Sequence, residues 1–132
     1  MTSKTHQAKC ISCVVPVYNE EAVIGDFLRA LAQTLQSLAH PFEILVIDDG
    51  SEDNTLNILK QLRGTIAFRY IRFSRNFGKE KALSAGLDFA RGDAVILLDG
   101  DFQHPLALLS EFISQWEAGY DMVYAVRKDR LD

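Results

Sequence analysis

The chain has 132 residues, of which 48% are hydrophobic and 24% charged, and its formal net charge is −4. This length allows one domain with a buried core, and the acidic balance argues against a general nucleic-acid binder. No apolar run reaches the ~20 residues of a membrane span, and residues 1–9 lack the apolar core of a signal peptide. We therefore expect a soluble, cytoplasmic chain with residues 1–10 poorly ordered and one domain over 11–132.

Apolar runs alternate with amphipathic segments along the whole chain. The predicted strands are 11–17, 42–47, 66–73, 94–98 and 122–126, and the predicted helices are 20–38, 53–62, 79–90 and 105–117. Strands alternating with helices of ten or more residues are typical of βαβ units. Strands 42–47 and 94–98 are almost continuously apolar, as expected where both faces of a sheet are covered. We predict an α/β fold with a mostly parallel sheet and helices on both faces.

Polar clusters follow four of the predicted strands. They are Tyr18-Asn19-Glu20, Asp48-Asp49-Gly50-Ser51, Arg75-Asn76 and Asp99-Gly100-Asp101. Ligands of parallel α/β sheets bind at the carboxyl ends of the strands. The clusters therefore predict one binding site at that edge.

The most informative cluster is Asp99-Gly100-Asp101. Its two carboxylates come directly after a buried strand, where ionising both is costly unless a divalent cation lies between them. Gln103 could supply a third oxygen ligand. Because Mg²⁺ or Mn²⁺ often completes its shell with phosphates, the motif predicts a metal–diphosphate site. The alternative is a loop with two solvated aspartates.

The other clusters have both a binding and a structural interpretation. Tyr18 could stack on a base and Glu20 could accept from ribose hydroxyls, or they could be a half-buried aromatic and an acid favoured by the helix dipole. Ser51 or Asp53 can cap the second helix, which leaves Asp49 spare to accept from a base.

Basic residues lie at the start of the third helix and at the end of the chain. Lys79 begins a helix, where a cation is unfavourable unless an anion such as a diphosphate binds there or Lys79 pairs with Glu80 or Asp53. Arg127 and Arg130 could hold a phosphate or belong to a solvated charge run. The chain ends soon after the fifth predicted strand, so we expect the N-terminal part of a longer protein.

The two cysteines, Cys10 and Cys13, have the C-x-x-C spacing of some zinc and redox sites. No second Cys/His pair with ligand spacing accompanies them, and they lie at the entry of the first strand rather than at a helix start. We interpret them as small apolar packing residues.

Four blocks in order carry a family resemblance: VVPVYNEE, VIDDGSEDNT, RNFGKEKALSAGLDFARGD and LLDGDFQHP. Over about residues 11–130 the chain resembles family-2 inverting glycosyltransferases with a Rossmann-like GT-A fold. The similarity is greatest to polyprenyl-phosphate glycosyltransferases, a group that includes dolichol-phosphate mannosyltransferase and the bactoprenol glucosyltransferases.

The resemblance implies a role for each matching residue. Pro16, Tyr18 and Glu20 would line the nucleotide pocket, Asp49 would read the base, and Lys79 would face the diphosphate. Asp99 and Asp101 would form the catalytic D-x-D motif, with Asp99 also touching the nucleotide sugar. Asp101 and Gln103, with Asp99, would hold the metal. Arg127 would face the acceptor phosphate, and Arg130 would match less well.

The implied activity is metal-dependent, inverting transfer of a sugar from a nucleotide-diphosphate sugar to a polyprenyl phosphate in cell-envelope glycan synthesis. A UDP-sugar is favoured as donor and GDP-mannose is possible. The full-length protein would act at the cytoplasmic face of a membrane. A saccharide hydroxyl acceptor or an inactive nucleotide-sugar binding fragment are the alternatives. A nucleotidyltransferase would need a Gly-rich basic loop after the first strand, and a dinucleotide oxidoreductase its G-x-G-x-x-G.

Overall fold

The computed structural model describes residues 10–98, 106 and 108–117. Eight elements alternate along the chain: β1 (Ile11–Val17), α1 (Ile24–Gln36), β2 (Phe42–Asp48), α2 (Thr55–Leu62), β3 (Arg69–Arg72), α3 (Lys79–Phe89), β4 (Ala94–Leu97) and α4 (Leu108–Glu117). The predicted strand 122–126 lies outside the described residues. Within those residues, no helix combines the length and apolarity that a bilayer crossing requires.

The strands form one parallel sheet in the order β3-β2-β1-β4. Val17 is in register with Asp48, and Val14 with Leu97. The chain adds β2 and β3 on one side of β1 and then crosses to add β4 on the other side. This reversal next to β1 is a topological switch point, where sheets of this kind bind their ligands. The predicted α/β fold is confirmed.

Both faces of the sheet are covered by helices, because apolar side chains of the strands alternate between them. One face packs against α1, α2 and α4, and its buried residues include Val15, Val46, Phe27, Leu31, Leu59 and Leu109. The other face, with Val14, Leu45 and Ile47, packs against Ala82 of α3. Fully burying a side chain of this size stabilises the fold by about 1.5–3 kcal/mol. The predicted two-faced arrangement is confirmed.

Helix α1 and strand β3 differ most clearly from their predicted ranges, because each begins at least three residues late. Helix α1 begins at Ile24 rather than at residue 20, because the Glu20 carbonyl accepts from the Val23 and Ile24 N–H groups and forms a separate turn. Strand β3 begins at Arg69 rather than at residue 66, because the N–H groups of residues 65 and 66 still bond to the Leu62 carbonyl at the end of α2. Both differences follow from hydrogen bonds that periodicity does not encode.

Glu43 forms hydrogen bonds to several elements at the amino edge of the sheet, opposite the predicted site. It accepts hydrogen bonds from Ser12 Oγ at 2.5 Å, the Arg91 N–H at 2.7 Å and Arg69 Nη2 at 2.8 Å. Burial raises the pKa of Glu43, but these hydrogen bonds and the Arg69 charge outweigh burial and hold the pKa below its ordinary value. One carboxylate thus connects three strands and the α3–β4 turn.

The pKa of both cysteine thiols is raised above its ordinary value. Burial, with a smaller contribution from Cys10, raises the pKa of Cys13 to about 12. Burial and the charges of Glu43 and Asp93 raise the pKa of Cys10. Cys13 lies in the hydrophobic core, as the packing interpretation predicts, whereas Cys10 is partly buried at the entry of β1.

Candidate functional site

The candidate site lies at the carboxyl edge of the sheet, beside the switch point next to β1. The Val14 carbonyl accepts from the Leu98 N–H at 2.9 Å, and this is the last β1–β4 ladder bond the structure shows. In a parallel ladder the next bond would run from residue 16 to the Leu98 carbonyl, and Pro16 has no N–H to donate. Among the described residues, the β1–β4 ladder therefore ends at Leu98, beside the switch point.

The loop after β1 is bonded to the loop after β2 through Asn19. The Asn19 N–H donates to Ser51 Oγ at 2.8 Å. In return, Asn19 Oδ1 accepts from the Glu52 N–H at 2.8 Å and from the Asp53 N–H at 3.3 Å. The two loops are thus joined in both directions by one side chain and one hydroxyl.

Glu20 and Glu21, which follow Asn19, form further hydrogen bonds to the residues at the start of α2. The Glu20 N–H donates to Thr55 Oγ1 at 2.9 Å, and the Glu21 N–H donates to Asp53 Oδ2 at 3.2 Å. The Asn54 N–H donates to Glu21 Oε1 at 2.8 Å. The position of Glu20 is therefore set by α2 as well as by β1.

Of the two residues predicted as alternatives to cap α2, Ser51 and Asp53, it is Asp53 that supplies the bond. Asp53 Oδ1 accepts from the Thr55 N–H at 2.9 Å and from Thr55 Oγ1 at 2.6 Å. Burial raises the pKa of Asp53, but these bonds and the one from the Glu21 N–H lower it overall. Ser51 does not cap the helix, because its hydroxyl accepts from Asn19.

Asp48 is fully buried at the end of β2. Its Oδ1 accepts from the Ser51 N–H at 2.9 Å, while its Oδ2 has no hydrogen-bond partner among the described residues. The first of the two adjacent aspartates therefore shapes the turn that orients Ser51 toward Asn19.

Asp49 holds the loop that precedes α3, so the expectation that it is spare was wrong. It is 4% exposed. Its Oδ2 accepts from Asn76 Nδ2 at 3.0 Å and from the Gly78 N–H at 3.0 Å, and its Oδ1 accepts from the Phe77 N–H at 2.8 Å. Since a carboxylate oxygen can accept two bonds, Oδ1 retains capacity for one further donor.

The loops after β2 and β3 touch backbone to backbone at Gly50. Gly50 has φ +75°, and a Cβ built on it would lie 2.2 Å from the carbonyl carbon of Arg75. Any side chain here would push the β3–α3 loop away from Asp49. Glycine therefore allows the close approach on which the Asp49 hydrogen bonds depend.

Four of the residues predicted for the nucleotide follow three neighbouring strand ends. Tyr18 is 42% exposed, Glu20 is partly buried, Asp49 is buried, and Lys79 is exposed as the first residue of α3. Pro16 is buried at the end of β1. The remaining predicted site residues are Asp99, Asp101, Gln103, Arg127 and Arg130, which lie outside the described residues.

The surface beside Asp49 also presents an aromatic ring and a cation. Phe77 is 44% exposed and makes an edge-to-face contact with Phe73 at 5.6 Å between ring centroids. The Arg75 guanidinium lies 4.2 Å from the Phe77 ring centroid. Arg75 belongs to one of the polar clusters predicted at this edge, whereas Phe77 was not predicted as part of the site.

No cluster of three or more His, Cys, Asp or Glu residues able to hold a metal occurs in the part of the chain that the structure describes. The predicted ligands Asp99, Asp101 and Gln103 are outside that part. The metal site therefore stays a prediction from the sequence.

Sequence reasoning assigned no role to Asn19 or Asn76, although both connect loops here. Asn19, just beyond the end of β1, has φ +53°. Asparagine is one of the few non-glycine residues that adopts this conformation. That preference is a signal for Asn19. Nothing local identifies Asn76, because its partner Asp49 is 27 residues away.

A parallel α/β sheet with interlocked loops at its switch point defines a Rossmann-like class of ligand-binding proteins. Within that class, the profile described as Glycosyl transferase family 2 matches residues 12–132. The chain belongs to this family.

Curated relatives match most of the chain. It is 46% identical over 121 residues to the bactoprenol glucosyl transferase of Shigella phage SfV, covering 91% of this chain and 39% of that protein. It is 39% identical over 131 residues to the undecaprenyl-phosphate 4-deoxy-4-formamido-L-arabinose transferase of Pseudomonas fluorescens, covering 98% and 39%. The chain thus spans about two fifths of the length of these relatives.

Solved structures share the fold. S. aureus TarS in complex with UDP-GlcNAc is 28% identical, with a TM-score of 0.58 over 80% of this chain and 31% of that one. Glucosyl-3-phosphoglycerate synthase of Mycobacterium tuberculosis in complex with UDP is 23% identical, with a TM-score of 0.68 over 88% and 43%. A mannosyltransferase of Pyrobaculum calidifontis, in complex with GDP-Man and Mn²⁺, is 23% identical with a TM-score of 0.59 over 74% and 29%.

Proposed function

We propose that this chain is the nucleotide-sugar binding part of a metal-dependent, inverting glycosyltransferase whose acceptor is a polyprenyl phosphate. The donor is a nucleotide-diphosphate sugar, with a UDP-sugar favoured over GDP-mannose. The full-length protein acts at the cytoplasmic face of a membrane in cell-envelope glycan synthesis.

The observation that carries this proposal is the bonding of three loops at one sheet edge. The loop with Tyr18 and Glu20 bonds to the loop that starts at Asp49, and Asp49 bonds to the loop that ends at Lys79. The three loops that carry residues suited to a base, a ribose and a diphosphate are therefore hydrogen-bonded to one another. Relatives named as a bactoprenol glucosyl transferase and an undecaprenyl-phosphate transferase support the same class of acceptor.

In this proposal each group has a separate task. Tyr18 stacks on the base, Glu20 accepts from the ribose, and the remaining acceptor capacity of Asp49 Oδ1 takes an N–H of the base edge. Lys79 and the start of α3 attract the diphosphate. A divalent cation held by Asp99, Asp101 and Gln103 would neutralise charge on the leaving nucleoside diphosphate.

The acceptor determines whether a general base is needed. A phosphate monoester has its second pKa near ~6 and is largely ionised at neutral pH, so it can attack without losing a proton. Arg127 and Arg130 are proposed to hold it. A saccharide hydroxyl would instead need a positioned base, and a fragment that only binds the nucleotide would transfer nothing.

Metal-supported nucleotide binding is the first test. UDP, GDP, CDP and TDP are added to the chain with Mn²⁺ or with EDTA, and the unfolding temperature is measured. A ligand that binds only the folded state raises that temperature, so at least one nucleotide should raise it more with Mn²⁺. Asp101→Asn should remove the extra increase, while Asp88→Asn, an exposed carboxylate of α3, should retain it. Equal increases of the unfolding temperature with Mn²⁺ and with EDTA would contradict a role for the metal in nucleotide binding.

The acceptor is tested separately in the full-length protein. Transfer from a radiolabelled donor to a polyprenyl phosphate is compared with transfer to a free saccharide. Arg127→Ala should raise the KM for the polyprenyl phosphate and leave the donor affinity unchanged. Transfer to the saccharide alone would favour the hydroxyl-acceptor alternative.

A further inference from the structure

We propose that Asn19 is a positioning residue that holds Tyr18 and Glu20 in the arrangement that binds the nucleotide. The inference rests on the proposed function and adds to it a residue that touches neither the base nor the phosphates. Asn19 acts through the conformation of its own backbone and through the side-chain bonds it makes to the next loop.

The backbone at Asn19 is unusual. Its φ is +53°, and among the described residues it is the one non-glycine position with a positive φ. Left-handed backbone is sparsely populated by non-glycine residues and persists where surrounding contacts hold it, often at functional loops. Here it lies between Tyr18 and Glu20 and sets the direction in which each leaves the end of β1.

The contacts that hold this conformation come from the β2–α2 loop. Asn19 Oδ1 accepts from the N–H groups of Glu52 and Asp53, and the Asn19 N–H donates to the buried Ser51 hydroxyl. Without the side-chain acceptor, two N–H groups before α2 lose their partner. The β1–α1 loop could then relax toward the ordinary negative-φ region, which would turn Tyr18 and Glu20 away from Asp49.

The choice of asparagine satisfies two requirements at once. The position needs a residue that tolerates positive φ and a short side chain that carries an acceptor oxygen. Glycine meets only the first requirement, alanine meets neither, and aspartate meets both. These three substitutions therefore separate backbone strain from the loss of the acceptor.

The experiment uses Asn19→Ala, Asn19→Gly and Asn19→Asp in the 132-residue chain. Dissociation constants are measured by calorimetry with Mn²⁺ and the nucleoside diphosphate, among UDP, GDP, CDP and TDP, that binds the wild type most tightly. Losing two hydrogen bonds should raise the Kd of Asn19→Ala and Asn19→Gly by about tenfold, while Asn19→Asp should stay within about threefold. Asn57→Ala is the matched control, because Asn57 is an exposed α2 asparagine whose amide donates, within the described residues, to Asn54 Oδ1 of the same helix start.

A second measurement separates positioning from stability. Urea unfolding gives the folded fraction of each variant without denaturant, and a chain that is more than nine-tenths folded should bind normally if Asn19 only stabilises the fold. Hydrogen exchange of the Glu52 and Asp53 amides should accelerate in Asn19→Gly and return toward the wild-type rate in Asn19→Asp.

Three results would overturn the inference. They are an unchanged Kd in folded Asn19→Gly, a Kd of Asn19→Asp raised as much as that of Asn19→Ala, and an equal effect of Asn57→Ala. If the wild-type chain binds none of the four nucleotides, the proposed function itself has failed, and this inference falls with it.

Discussion

Alanine substitution at three glycines should separate backbone strain from steric contact between the β2–α2 and β3–α3 loops. Gly50 has φ +75° and would place a Cβ 2.2 Å from the Arg75 carbonyl carbon. Gly78 has φ +103°, but a Cβ there would meet no atom within 4 Å. Gly64 has neither feature, since its nearest contact would be the Gln61 carbonyl oxygen at 3.8 Å. Alanine would therefore meet backbone strain and a steric contact at Gly50, backbone strain alone at Gly78, and neither at Gly64.

The expected losses of stability follow from these three environments. Alanine at Gly64 should be neutral or should stabilise by up to about 1 kcal/mol, because the unfolded chain loses freedom. Alanine at Gly78 should cost about 1–3 kcal/mol, since its backbone conformation is one that residues with a Cβ rarely adopt. Alanine at Gly50 adds a forced shift of the Arg75 backbone, and overpacking of this kind costs a further ~1–3 kcal/mol.

Urea unfolding followed by the fluorescence of Trp116, the single tryptophan, gives the free energy of unfolding of each variant. We expect equal slopes against urea and midpoints in the order Gly64→Ala, Gly78→Ala, Gly50→Ala, from highest to lowest. A Gly50→Ala variant no less stable than Gly78→Ala would refute the argument that the two loops are in backbone contact.

Two further substitutions test the carboxylates at opposite edges of the sheet. Asp49→Asn should weaken nucleotide binding, change the preference among bases, and cost about 1–3 kcal/mol by turning an amide toward part-buried N–H donors. Unchanged affinity and base preference in calorimetry would show that Asp49 only supports the loop. Because the pKa of Glu43 is lowered in the folded state, its contribution to stability is present above its unfolded pKa of about 4.3 and is lost as the pH falls through the folded pKa. Glu43→Gln should therefore be less stable than the wild type at pH 7, with a smaller difference near pH 3; an equal difference in urea unfolding at both pH values would be inconsistent with this role.

The alternation of strands and helices could be predicted because burial imposes it directly on the sequence. Strand β2 is apolar on both faces, and the apolar stripe of α1 includes Phe27, Leu31 and Leu35, all buried. The starts of α1 and of β3 were predicted too early, because each depends on a few backbone hydrogen bonds. A bond such as that from Ile66 to the Leu62 carbonyl leaves no pattern in residue type.

The candidate site was predictable in position but not in its internal bonding. Parallel strands bring their carboxyl ends together, so the edge that carries Tyr18, Asp49 and Lys79 follows from the fold. The hydrogen-bond partners of Asp49 do not follow from the fold. Asn76 and Asp49 are far apart in the chain, and each residue type is also common in solvent-exposed loops. The local pattern also left two residues able to cap α2, and only the structure shows that Asp53 supplies this bond while the Ser51 hydroxyl accepts from the Asn19 N–H.

The bonds that join the β1–α1 loop to the start of α2 also bear on how the chain folds. Helix α2 has eight residues, and its local side-chain cap comes from Asp53, which accepts from the Thr55 N–H. The N–H groups of residues 52 to 54 find their acceptors on Asn19 and Glu21, more than 30 positions earlier. An isolated helix of this length is unstable, and contacts of long sequence separation form late. We therefore expect α2 to become stable only after β1 and β2 have paired, which makes this corner of the domain one of the last to assemble and one of the first to open.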